Sequence, residues 1–523
     1  MQFTVLRQLA GSRIYPSAKW LQEPSAIRIA AQIPARLFLI AAVAALGTIG
    51  TSQLLFCAQA SRKPVPRGLA ARCTVRPTDY EGWKAEELAN RWVRLIIVPQ
   101  LGGRLMQVTF DGHDYLFVND QLKGQVNHPD TEHHRWYNYG GDKIWPMPEG
   151  SQDEQHWPDA GGTLLDEGAF TLQVISRGTD CAVRLTGPDD PRIGQQYIRD
   201  IRINSNSPAI FFHAVMKNVS GYPQTWSEQS VSQYNAAAPD DPSQFNPKFW
   251  GVTLVNLSSV FPNGYHVRTG NPANPGYTVE DGLFRVQWNN MEGEVWTDSA
   301  AGWLAVVDGS TGFTMVERNR YDPKATYPGQ TTMLFYTTGI HTHNHPRQLA
   351  NGGTQGARSG QFASAADQPA AAPARMVPPI YYMEAELDSP MVELSPGESY
   401  AMDTTWYPTR MGETFKASTY SGVVGTPLAA SASPAGLALT GDFGVFYAGS
   451  LVAHYYDRSG ATIGAAQLVG VTPVQEVQLQ STVQAPPETF RVSVHLVEHS
   501  GLDRGPLGEA FVDPPPTASR GRN

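Results

Sequence analysis

Residues 92–118 read WVRLIIVPQLGGRLMQVTFDGHDYLFV. Val93 to Val98 is an aliphatic, β-branched run, Pro99 to Gly103 supplies turn residues, and Arg104 to Phe110 follows as a second run. Asp111-Gly112 then turns the chain towards Tyr115–Val118. Such residues fill pleated surfaces, and Asp-Gly suits a tight hairpin, so the stretch predicts a β-meander. The pattern recurs at Phe170–Ile175, Ala182–Thr186, Tyr197–Ile203, Ala209–Lys217, Trp303–Val307, Phe313–Val316, Met333–Tyr336, Ile380–Leu387 and Ser399–Tyr407. Many short strands joined by Gly, Pro and Asn turns indicate an all-β sandwich or barrel. No strand-helix alternation supports a Rossmann or TIM architecture.

Three stretches interrupt the pattern: Tyr115–Leu164, rich in Trp, His, Asp and Gly; Asn235–Tyr277, read as a Pro/Asn loop region; and Arg347–Pro379, a low-complexity insertion that cannot bury enough apolar surface to order itself. After Pro408 the composition shifts to small residues with shorter alternating strands, read as a small β-sandwich over residues 418–500. Residues 501–523 are Pro- and Gly-rich and read as a flexible tail.

The 523 residues are 41% hydrophobic and only 17% charged, with 49 Gly, 40 Pro and 12 Trp, which excludes a disordered, collagen-like or coiled-coil chain. Leu37 to Phe56 is a mostly apolar run without charge, preceded by Arg28 and Arg36 and followed by Ala58-Gln59-Ala60. Residues 1–60 therefore read as a leader with a cleavable export signal, and the run is also long enough to anchor the chain in a membrane uncleaved. The expected location is periplasmic or secreted, or anchored at the inner membrane with the domains outside the cytoplasm. Without the leader, 34 basic residues face 47 acidic ones, a net charge of −13 that disfavours nucleic acid as a partner. Cys73 and Cys181 remain, as one disulfide or as two separate thiols.

Candidate chemistry gathers in four places. Trp136-Tyr137-Asn138-Tyr139-Gly140-Gly141-Asp142-Lys143-Ile144-Trp145-Pro146 sets flat rings beside an amide, a carboxylate and an amine, with Glu149, Asp153, Glu154, His156 and Trp157 close behind. Sugars present apolar CH faces and rings of hydroxyls, so they want this mixture; the bland reading is a plug of rings at the mouth of a sandwich. Gly140-Gly141 would let backbone approach a ligand. On a strand, Trp226, Glu228, Ser230 and Ser232 share one face and Gln229, Val231 and Gln233 the other, which suits a strand lining a cleft or an edge strand. Glu384 and Glu386 share a face among apolar neighbours that would raise a carboxylate's pKa for general-base work, although solvated surface acids look the same. His341, His343 and His345 alternate, as a weak metal pattern, and His128, His133 and His134 are looser still. With no HExxH, CxxC, P-loop, GxGxxG or GxSxG motif, neither metal nor cofactor is expected.

The Pro99–Leu105 block, the Asn218-Val219-Ser220-Gly221 turn before Trp226 and the Leu394–Tyr400 block resemble landmarks of the galactose-mutarotase-like superfamily. The Tyr137–Pro146 and Trp226–Tyr234 blocks resemble an uncharacterised exported bacterial family within it. The resemblance covers about residues 80–412. It implies a large antiparallel β-supersandwich, here residues 74–412 with the insertion at 347–379, whose concave face binds carbohydrate. Met383-Glu384-Ala385-Glu386 falls where epimerases resemble Leu-Glu-x-Gln, which makes Glu384 the expected general base. No histidine stands near Glu228–Ser232, where the epimerase acid is expected, so Glu228, Asp142 or a histidine from His341–His345 is the expected acid. Arg104, Lys143, Gln229 and Glu386 are the expected polar contacts, and Trp136, Tyr139, Trp145 and Trp226 the stacking surfaces. The function expected is that of an exported carbohydrate-binding, possible carbohydrate-active protein; epimerase, glycosidase and lyase-like activities all fit that fold, as does a noncatalytic glycan-binding module or envelope structural protein.

Overall fold

The computed structural model describes residues 72–129, 136–148, 163–339 and 380–513. The leader, the insertion at 347–379, the final ten residues, His133, His134, Glu149, Asp153, Glu154, His156, Trp157 and His341–His345 lie outside the described residues.

Two large antiparallel sheets form the first part of the fold. In the 12-stranded sheet, the strands Arg104–Phe110, Asp142–Met147, Gln224–Asn235, Tyr382–Asp388, Met333–Thr337, Gly293–Thr297 and His266–Gly270 lie in that spatial order. The 10-stranded sheet has Phe313–Arg318, Ser399–Arg410, Ile210–Asn218 and Gln195–Asn204 at its centre. Alternate residues of the facing strands interdigitate between the sheets: Met383, Ala385 and Leu387 from one side, Phe212, Leu304, Met315 and Trp406 from the other, all buried. Eight further strands between Ala417 and Asp513 form a third sheet. Its Phe443, Leu451, Val492 and Val494 share one core with Trp250, Val252, Trp303 and Val316 of the 10-stranded sheet. The Phe249–Leu254 and Trp303–Asp308 strands of that sheet are thus buried on both faces, whereas Ile210–Asn218 alternates buried and accessible residues and Thr171–Ser176 half-buried and exposed ones. The 12-stranded sheet has one face turned away from the sandwich.

Three expectations are corrected. The Asn235–Tyr277 region contains the strands Phe249–Leu254, a short apolar run hidden among Pro and Asn, and His266–Gly270, in which Val267 is the one apolar residue. The Trp136–Pro146 block is not one loop, because Asp142–Met147 is an interior strand of the sheet. Asp503–Asp513 is a strand paired with Arg491–Glu498 rather than a free tail, with Leu507 buried against the domain core.

Cys73 and Cys181 form a disulfide with a Cα–Cα distance of 5.9 Å, closing a loop of 108 residues between the two large sheets. Closing so long a loop restricts the unfolded chain, so replacing both cysteines by serine is expected to lower stability by about 2–5 kcal/mol, measured by denaturant unfolding.

The sandwich interior also holds ionisable groups. Glu317 is buried, and Tyr234 donates its hydroxyl proton to it. Burial pushes the Glu317 carboxyl up to about 8, with the Tyr234 hydrogen bond as a partial offset and Asp142 adding to the rise. A group that holds its proton more tightly in the fold stabilises fully below its unfolded value near 4.5 and loses that contribution as pH climbs through 8. Wild type should therefore lose melting temperature between pH 5 and 9 more steeply than Glu317→Gln; parallel curves would remove Glu317 as the cause.

Candidate functional site

The Tyr382–Asp388 strand sits between Gln224–Asn235 and Met333–Thr337. Its period of two sends Met383, Ala385 and Leu387 into the core, which leaves Tyr382, Glu384, Glu386 and Asp388 on the outer face of the sheet. Register carries that face across the neighbours. Gln233 lies opposite Glu384, Val231 opposite Glu386 and Gln229 opposite Asp388. Beyond them, Lys143 lies opposite Val231 and Trp145 opposite Gln229. On the other flank Tyr336 lies opposite Glu384, and Glu294 opposite Tyr336.

The centre of this face is a Lys–Glu pair. Lys143 Nζ lies 3.8 Å from Glu384 Oε1, and Gln233 Nε2 donates to the same oxygen at 2.6 Å. The ammonium also lies 4.2 Å from the Trp145 ring centroid and 4.9 Å from that of Trp136, within the range of cation–π attraction. Glu384 is 4% exposed and Lys143 2%. Burial raises the Glu384 carboxyl above the usual range, against the opposing pull of Lys143, Gln233 and Arg104. Burial lowers the Lys143 amine, with Glu384 opposing. The two proton affinities are drawn towards one another, the condition in which a proton passes between acid, base and substrate near neutral pH.

Asp166 holds the aromatic wall in place. Its Oδ1 accepts from Arg104 Nη2 at 2.7 Å and from Trp145 Nε1 at 3.1 Å, and its Oδ2 from Trp136 Nε1 at 2.7 Å. Asp166 belongs to a single helical turn, Leu164–Glu167, which Thr163 caps by accepting from the Asp166 backbone N–H. Asp190 accepts from the N–H groups of Leu164 and Leu165, so the turn is fixed at its start.

The sequence-derived candidates divide between the two faces. Glu384, Glu386, Gln229, Lys143 and Trp145 share the outer face, and Trp136 packs edge-on against Trp145 there with centroids 6.0 Å apart. Arg104 is also on this side, but its guanidinium is spent inside the protein, on Asp166 and on the Gly140 carbonyl at 3.0 Å, so it is no anchor for a ligand. Tyr139 is fully buried, its hydroxyl accepting from Asn127 and its ring set edge-on to Trp83, so it offers no stacking surface. Gly140 and Gly141 have positive φ, and a Cβ on either would strike the carbonyls of Phe117 and Leu105; they serve strand packing rather than close approach of a ligand.

Asp142, Glu228 and Trp226 lie on the inner face, between the sheets. Asp142 pairs with Arg199 of the 10-stranded sheet and accepts from Ser232 at 3.2 Å. Glu228 is fully buried, and burial pushes its carboxyl well above the usual range, Arg199 only partly offsetting this. The sheet itself separates both acids from Glu384, so neither can share a substrate with it. The polar residues on both faces of Trp226–Tyr234 mark a central strand, paired on each side, and not an edge. Sequence reasoning missed Asp166, although Thr163-Leu164-Leu165-Asp166 fits the Ser/Thr-x-x-Asp/Glu capping pattern.

No protein-family model and no curated protein sequence matches the chain. Solved structures of similar fold include a galactose mutarotase-like protein from Lactobacillus casei, at 9% identity and a TM-score of 0.37, covering 64% of this chain and all of that one (100%). Another from Clostridium acetobutylicum has 10% identity and a TM-score of 0.37 over 65% of this chain and 99% of its own. A TPR-domain containing protein from Parabacteroides distasonis has 14% identity and a TM-score of 0.38 over 64% of this chain, which spans 53% of that protein's length. The likeness is one of fold, and no residue role is taken from these structures.

Proposed function

We propose that this is an exported carbohydrate-active protein that binds a polyhydroxylated ring on the outer face of the 12-stranded sheet and moves protons on it with Glu384 as general base and Lys143 as general acid. One observation carries the reading: an amine and a carboxylate stand 3.8 Å apart, their proton affinities shifted towards each other, beside the half-buried Trp136 ring. A sugar's CH face suits the indole, and its hydroxyls suit Glu384, Gln233, Gln229, Glu386 and Lys143. In the simplest reaction, Glu384 takes the proton of the anomeric hydroxyl while Lys143 protonates the ring oxygen. The bond from the anomeric carbon to the ring oxygen breaks, a carbonyl forms, and reclosure from the other side inverts the centre. Lys143 thereby fills the place of the acid that the sequence leaves without a histidine.

The Cys73–Cys181 disulfide supports an oxidising compartment, in keeping with the leader over residues 1–60. A noncatalytic glycan-binding module is the second reading, favoured by the low exposure of Glu384 and the Gln233 hydrogen bond it already accepts. A glycan array with residues 61–523 tests the ligand class common to both. At least one mono- or oligosaccharide class should bind; a folded protein that binds none contradicts both.

A further inference from the structure

The third sheet carries a cluster of ligating side chains that the carbohydrate reading does not use. His454 lies on Gly449–Tyr456 and His495 on Arg491–Glu498; Val452 is opposite His495 and His454 opposite Ser493, so the two imidazoles are diagonal neighbours on one face. Their ring centroids are 4.6 Å apart. Asp503 enters at the end of the tight turn after Glu498, with its Oδ2 and Oδ1 at 2.9 and 3.1 Å from His495 Nδ1. One ligating atom from each of the three residues lies within 4.8 Å of the other two. His454 Nε2 is buried without a hydrogen-bond partner.

We propose that His454, His495 and Asp503 bind a divalent transition-metal ion of the zinc class. Two imidazoles and one carboxylate match the donor preference of Zn2+ and its neighbours rather than that of Ca2+ or Mg2+. Bonds of about 2.0–2.2 Å to a shared ion bring donor atoms within about 4 Å of each other, so the triad needs only a small closure. Asp503, with a side chain 44% exposed, leaves the ion open to water on that side. The neighbouring Arg504 pairs with Glu498 and lies 3.9 Å from the Tyr447 ring centroid.

The test is calorimetric titration of metal-stripped residues 61–523 with zinc chloride, alongside His454→Gln, His495→Gln and Asp503→Asn. We expect one zinc per chain, a rise in melting temperature on binding, at least a tenfold loss of affinity in either histidine variant, and a smaller loss in Asp503→Asn. The melting temperature of each variant without zinc reports whether it is folded. The proposal is overturned if wild type takes up no stoichiometric zinc, or if folded His454→Gln and His495→Gln bind zinc as wild type does.

Discussion

Glu384→Gln is expected to slow turnover by about 10²–10⁴-fold while leaving sugar binding within a few-fold of wild type. The amide keeps the shape of the side chain and an oxygen for the Gln233 hydrogen bond, now 2.6 Å long, but it cannot accept a substrate proton. Losing a general base costs about 10²–10⁴ in rate, so any substrate found on the array should show a fall of that order in kcat with little change in binding. The wild-type pH profile follows from the same pair. Glu384 must be ionised, and its affinity for protons is raised, so the acid limb lies above 4.5. Lys143 must be protonated, and its affinity is lowered, so the alkaline limb lies below 10.5. The resulting bell should be narrower than free Glu and Lys would give. A Glu384→Gln protein that turns over at the wild-type rate would remove Glu384 as the base, whereas a wild-type protein that binds the sugar without any turnover would leave the noncatalytic module as the surviving reading.

Asp166→Ala should produce the largest loss of stability among single substitutions at the site. The residue is fully buried with Arg104, and its removal leaves that guanidinium buried without its counter-charge, at a cost of about 3–5 kcal/mol. It also takes the acceptor away from two indole N–H groups, Trp136 and Trp145, which stand against Lys143. The double variant Arg104→Met/Asp166→Leu separates these effects. Replacing a buried ion pair by apolar side chains of similar size is often close to neutral, so the melting temperature should return towards wild type. The indoles would still lack their acceptor, so sugar affinity should stay reduced. If affinity returns together with stability, Asp166 holds the fold and not the wall.

How much of this was legible in sequence depends on the residue. That Glu384 and Glu386 share a face follows from strand period, and so does the division of Trp226–Tyr234 into two rows. Which row faces outward did not follow, because both are polar. The interior of this sandwich carries its own ionic network, with Asp142 on Arg199 and Tyr234 on Glu317, so the usual rule that charge marks the outside failed for Asp142 and Glu228. Asp142 and Lys143 also hid an interior strand inside what looked like a loop. Arg104 and Asp166 are 62 residues apart, and only the folded chain shows that they meet. The disulfide was one of two open readings, since spacing says nothing of distance across two sheets.

The proposed ligand site lies on one face of the sheet only. Calorimetric titration of the sugar selected on the array into wild type, Lys143→Met and Glu228→Gln tests this most directly. Lys143→Met should lose at least tenfold in affinity, whereas Glu228→Gln, altered on the opposite face, should bind as wild type does. Undiminished binding by Lys143→Met, or its loss in a folded Glu228→Gln protein, would contradict the account.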